Sequence, residues 1–184
     1  MELELKHLAP YLPYGLKFEH VEYDYSDKVN HNITKMESLS ADLITFEDCS
    51  DYYFDADNCD GYNPTVVPIL LPMSSLYTEM EDGKVHIVEL AKIATGVQDW
   101  EVIEYQPTFG SRKIKFKPYL IAYNKEYSFR FFLRDKDFYL YDVDVARECT
   151  HQNQLDLFTY LFENHFDVFG LIDKGLALDK TKIK

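Results

Sequence analysis

The chain has 184 residues, 46% of them hydrophobic and 28% charged, a composition that excludes intrinsic disorder and suits one globular domain with its own core. Its formal net charge of -13 argues against direct binding to nucleic-acid phosphates and favours basic partners or cations. The acids are unevenly placed: residues 1–92 carry 18 against 6 Lys/Arg, whereas residues 93–184 carry 14 against 13.

The 15 Tyr and 13 Phe suit half-buried pleated surfaces and point towards sheet. In chain order, "GLKFEHVEYDY" (Gly15–Tyr25) alternates as a strand. "HNITKMESLS" and "ADLITFED" read as two more, with Ile33, Met36, Leu43, Ile44 and Phe46 as inward candidates. "TVVPILLPMSSLY" is apolar but holds Pro68 and Pro72, so it reads as an edge strand or extended passage. Asp82-Gly83 signals a turn. The period then changes. Ile87, Leu90, Ala91 and Ala94 share one helical face, and Gly96 is a natural stop, which predicts a helix over about 86–95.

"WEVIEY" (Trp100–Tyr105) returns to strand. "RKIKFKPYLIAY" alternates Lys113, Lys115 and Lys117 with Ile114 and Phe116. "EYSFRFFLRDKDFYLYDVDV" reads as a hairpin. Tyr127, Phe129, Phe131 and Leu133 line one strand face, Arg134 to Asp137 turn, and Tyr139, Tyr141, Val143 and Val145 line the return. "HQNQLDLFTYLFENHF" predicts a second helix over about 152–165, with Leu155, Phe158 and Phe162 on one face. Gly170 and Gly175 then predict turns. The expected fold is α+β: a substantially antiparallel sheet with two main helices in a single compact domain over 1–184.

Three cysteines (Cys49, Cys59 and Cys149) make an odd count, and the first residues lack a basic region followed by an apolar core. No apolar run reaches membrane-spanning length. The expectation is a cytoplasmic protein with reduced thiols and no membrane association.

The stretch "FEDCSDYYFDADNCDGYNP" (Phe46–Pro64) is the centre of a region, Lys35 to Lys84, with 11 acids and no Lys or Arg between its ends. As a calcium loop it fails by position. With Gly61 at the sixth place, Ala56 falls at the first and Val67 at the twelfth, where carboxylates are required. Cys49 and Cys59 lack the paired ligands a structural zinc site needs. No cofactor or metal is therefore expected. What remains is an acidic interaction surface built from Asp48, Asp51, Asp55, Asp57 and Asp60, against the plain reading of a solvated Asp/Asn-rich turn.

No Gly-x-Ser-x-Gly, Walker or Gly-x-Gly-x-x-Gly motif is present. His165 and Asp167 in "NHFD" have the types for an acid–base pair, although a histidine at a helix end more often bonds a carbonyl. The catalytic residues of any enzyme here stay unknown. "RKIKFK" is the one dense basic patch. Its lysines serve as well to protect an edge strand, to follow a nucleic-acid backbone, or to dock on the acidic half of a second copy.

The segments "ELELKHLAPYLPYGLKF", "VPILLPMSSL", "VELAKIA" and "LDLFTYLFENHFDVFGLIDKGLALD" resemble uncharacterised small proteins encoded in prophages and mobile elements of anaerobic gut bacteria. The resemblance implies a phage or mobile-element setting and carries no activity, cofactor or site residue with it. Three readings follow. The first is a non-enzymatic protein-binding module with an acidic N-terminal half, whose partner is a host, phage or second-copy protein. The second is an acidic mimic of nucleic acid that inhibits a nucleic-acid-binding enzyme. The third is an enzyme whose site is assembled from distant residues.

Overall fold

A computed structural model of the chain describes residues 3–23, 29–49, 51–54, 65–105, 119–132, 137–149 and 153–183. Contacts divide the chain into two units, Met1–Pro72 with Leu161–Lys184, and Met73–Tyr160.

The first unit opens with α1 (Leu5–Leu8), where the Glu4 N–H donates to His7 Nδ1 at 3.2 Å. A 3-10 turn over Ala9–Tyr14 follows, with Pro10 in its first turn, where a missing N–H costs nothing. Gly15 stops the turn at φ 63°, in the left-handed region that glycine enters without a Cβ penalty. The chain then enters β1 (Lys17–Tyr23), β2 (Val29–Leu39), β3 (Leu43–Phe46), β4 (Tyr52–Tyr53) and β5 (Thr65–Leu70). With β11 (Leu178–Asp179) they form a sheet of order β11-β5-β1-β2-β3-β4. All its pairings are antiparallel except β11 on β5.

The register decides which residues enter the core. Phe18 lies opposite Thr34 and Pro68, and His20 opposite Val66, all on the buried face. Ile33, expected inward, sits opposite Glu19 and is 59% exposed. Thr34 takes the inner position instead, on the same face as Met36, since a one-residue offset exchanges a strand's two faces. An irregularity between Met36 and Ser38 then restores Leu39 to the side of Ile44. Of the other inward candidates, Met36, Ile44 and Phe46 are buried and Leu43 is half-buried. The strand carrying Pro68 lies between β1 and β11 rather than at the sheet's end. However, β11 meets only Ile69 and Leu70, so Pro68 precedes that pairing and its missing N–H breaks no bond to it.

The carboxy-terminal piece closes this core. Leu71 N–H donates to the His165 carbonyl and Asp167 N–H to the Leu71 carbonyl, each at 2.8 Å. Tyr11 is fully buried, edge-on to Phe162 at 5.1 Å, and its hydroxyl donates to the Phe166 carbonyl at 2.6 Å. Burial pushes that hydroxyl well above the ordinary phenol range, so it stays a neutral donor. Phe18 meets Phe46 edge-on at 5.3 Å. Gly170 and Gly175 both have positive φ in turns, as the sequence predicts.

In the second unit the Asp82-Gly83 turn forms as expected, with Gly83 N–H donating to the Met80 carbonyl at 3.0 Å. Helix α2 (His86–Thr95) buries Ile87, Leu90 and Ala91, and Gly96 ends it at φ 76°. Five strands follow: β6 (Glu101–Tyr105), β7 (Tyr119–Tyr123), β8 (Tyr127–Phe132), β9 (Asp137–Asp142) and β10 (Arg147–Cys149). They form an antiparallel sheet of order β10-β9-β8-β7-β6. Phe129 pairs with Leu140 and with Ala122, and Phe131 with Phe138, on the inner face. The Phe129 and Phe138 rings stack at 5.5 Å. Tyr139 and Tyr141 lie on the outer face, so the return strand buries the alternate set, Phe138 and Leu140.

Helix α3 (Gln154–Glu163) contains the boundary between the units, which falls after Tyr160. Its buried stripe runs through Leu157 and Leu161, and Phe158 meets Phe138 edge-on at 5.8 Å. Leu155, expected on the inner face, is 80% exposed. Two residues before Leu157, it lies about 200° around the helix from the buried stripe. The observed class is α+β with two mostly antiparallel sheets and three α-helices among the described residues. The segment "RKIKFK", the Arg134 turn and Cys59 lie outside those residues.

Candidate interaction surface

The expected acid–base pair does not form. His165 Nε2–H donates to the Tyr14 carbonyl at 2.9 Å. Its backbone sits at φ 58°, a region that histidine enters more readily than most residues. Burial holds its imidazole below the ordinary histidine range. Asp167 turns its carboxylate the other way: Oδ1 accepts from Leu171 N–H at 2.7 Å and Oδ2 from Ile172 N–H at 2.9 Å. Both side chains thus satisfy main-chain groups, His165 in the opening 3-10 turn and Asp167 in the closing turns. His86, at the start of α2, has Nδ1 at 2.9 Å from the Tyr160 hydroxyl.

Of the acidic candidates, Asp48 is exposed just past β3 and Asp51 is half-buried just before β4. Asp55, Asp57 and Asp60 lie outside the described residues. Two acids in or just past strands of the first sheet have polar partners. Lys35 Nζ reaches Glu47 Oε1 at 3.1 Å, and His31 Nδ1 lies 3.2 Å from Glu19 Oε1. Among the described residues, no group of three or more His, Cys, Asp or Glu could hold a metal ion. No helix there is long and apolar enough to cross a membrane.

A surface the sequence reading missed lies at one end of the second sheet. The register places Glu101, Tyr123, Ser128, Tyr141 and Glu148 in one row across five strands, all on the outer face. Asn124 builds the adjoining β7–β8 turn by accepting from the Glu126 and Tyr127 N–H groups. At the same end Asp142 Oδ1 accepts from the Asp144 and Val145 N–H groups, both at 3.0 Å. This side-chain turn ends β9 before Val143 and leaves Ala146 at φ 51°.

As a result, Tyr141, Val143 and Val145 are 40%, 38% and 56% exposed next to one another in the chain. Glu126, Asp144 and Glu148 are exposed nearby and Glu101 at the far end of the row, with Lys125 and Arg147 as exposed bases and Arg130 half-buried on the same face, two residues from Ser128. The alternation in "YDVDV" imitates a strand. The signal against a strand was Asp142 placed two and three residues before the amides it binds.

No protein-family model, curated protein or solved structure matches this chain.

Proposed function

We propose that the chain is a non-enzymatic protein-binding module in a phage or mobile-element setting, and that its partner is a basic protein from host, phage or a second copy. The observation that carries this reading is the exposed aromatic and valine cluster at the end of the second sheet, rimmed by carboxylates. Tyrosine supplies contact area at low entropic cost, and interfaces commonly combine an apolar centre with a polar rim. The net charge of -13 adds long-range attraction for a basic surface. Capture from host lysate, then reconstitution with the purified partner at increasing salt, tests it. A saturable complex that weakens with salt is expected. Repeated failure to retain any specific protein overturns it. If the partner is a nucleic-acid enzyme, and amide replacement of Asp48, Asp51, Asp55, Asp57 and Asp60 alone releases it, the mimic reading takes its place.

A further inference from the structure

We infer that the row Glu101–Tyr123–Ser128–Tyr141–Glu148, with Val143 and Val145 beside it, docks a short extended segment in which Lys or Arg alternates with apolar residues. This rests on the protein-binding reading above and names the chemistry of the partner. Three features of the site select such an occupant.

The first is charge. Glu101 and Glu148 end the row on β6 and β10, both are exposed, and neither joins an ion pair among the described residues. Two cationic side chains of one extended segment lying across the strands can reach one carboxylate each. The second is the pair of tyrosines. Tyr123 and Tyr141 flank Ser128 in the register, so a small side chain stands between two aromatic ones in the row. Aromatic rings attract ammonium and guanidinium groups as well as aliphatic carbon, so a cationic or apolar side chain laid over Ser128 has both as neighbours. The third is the exposed Val143 and Val145, which give the apolar half of an alternating segment a surface to cover. A fully acidic occupant would meet like charge at both ends of the row, and a fully polar one would leave the valines in water.

The test uses the full chain and a short synthetic peptide alternating Lys with Phe and Ile, beside a matched peptide with Glu in place of Lys. Amide and tyrosine ring shifts are followed by NMR during titration. Shifts centred on Tyr123, Tyr141 and Val143 to Glu148 with the Lys peptide alone are expected. Tyr141→Ser should weaken binding about tenfold, as the loss of a central aromatic anchor does. The pair E101Q/E148Q removes two exposed charges and tests the same site should the tyrosine variant fold poorly. It is expected to weaken binding more than the pair E37Q/D173N, which removes two exposed acids elsewhere.

Equal weakening by both pairs, or shifts centred on other residues, overturns the site while leaving the protein-binding reading intact. If the same resonances move as protein concentration rises without peptide, the occupant is a second copy, and the assignment to a different partner falls. If neither peptide nor any lysate protein binds, the reading beneath it falls as well.

Discussion

The two units use their polar residues differently. In the first, buried or half-buried groups bond main chain: Tyr11 to Phe166 and His165 to Tyr14 join sequence-distant pieces, and Asp167 to Leu171 and Ile172 fixes the closing turns. In the second, the sheet is built from neighbours in sequence. At its turn end the polar side chains Asn124 and Asp142 shape loops while tyrosine and valine face water. Charge is divided unequally too: the first unit carries 18 acids against 8 Lys/Arg, the second 14 against 11. Polar groups that lie inside the first unit hold its ends together. On the second, Tyr141, Val143 and Val145 are exposed beside exposed carboxylates at one sheet end, the surface proposed above to meet a partner.

The largest effects should come from the cores. Phe18→Ala, at a fully buried ring packed on Phe46, is expected to cost about 3–5 kcal/mol, with Phe129→Ala as its counterpart in the second unit. Urea titration gives the totals, and amide exchange in each variant's own sheet shows where protection is lost. A loss under about 1 kcal/mol for either would mean that the ring is not packed as described. Asp167→Ala follows. It removes a buried carboxylate that accepts two main-chain N–H bonds, and about 2–3 kcal/mol should go with it. Asp167→Asn keeps one acceptor and should recover part of that. If the alanine variant is as stable as the parent, the closing turns do not depend on this side chain, and the contrast between the units loses its clearest instance.

Much of the frame was legible in the sequence. Helix α2 follows from the spacing of Ile87, Leu90 and Ala91 and the stop at Gly96, because a helix face and its terminator are both local signals. The β8–β9 pairing was readable for the same reason. Which face of a strand turns inward was not. Ile33 and Thr34 differ by one position, and only the pairing with β1 decides between them. Likewise α3 offers a wide apolar stripe in sequence, and tertiary packing selects Leu157 and Leu161 over Leu155. The exposed sheet end depends on an Asp side chain ending a strand, which alternation alone cannot reveal.

A smaller effect is expected at Gly15. Its φ of 63° is strained for any residue with a Cβ, and that Cβ would also meet the Lys35 side chain. Gly15→Ala should therefore cost about 1–2 kcal/mol. Repeating it with Lys35→Ala separates the two causes. The lysine end is flexible, so most of the loss should persist in the double variant. Full recovery would assign the cost to crowding rather than to backbone conformation.

The subtlest prediction concerns His165. Burial is the main cause that holds its imidazole below the ordinary value of 6.5; the Tyr14 carbonyl opposes this, and Lys180 and Lys17 add to it. The unfolded chain therefore takes up this proton at a higher pH than the folded one does. The stabilisation is complete above about pH 6.5 and declines as pH falls through that value towards the lower folded pKa. Carboxylates titrate over part of the same range, so the comparison must be with His165→Asn, which keeps a residue tolerant of positive φ and removes the titration. The difference in unfolding free energy between parent and variant should be level from pH 8 to 7. It should then shift against the parent between pH 6.5 and 5. A difference independent of pH would mean that the ring protonates as readily folded as unfolded. The bond to Tyr14 would then not require a neutral, buried imidazole, and His165 would join the solvent-facing residues rather than those that close the first unit.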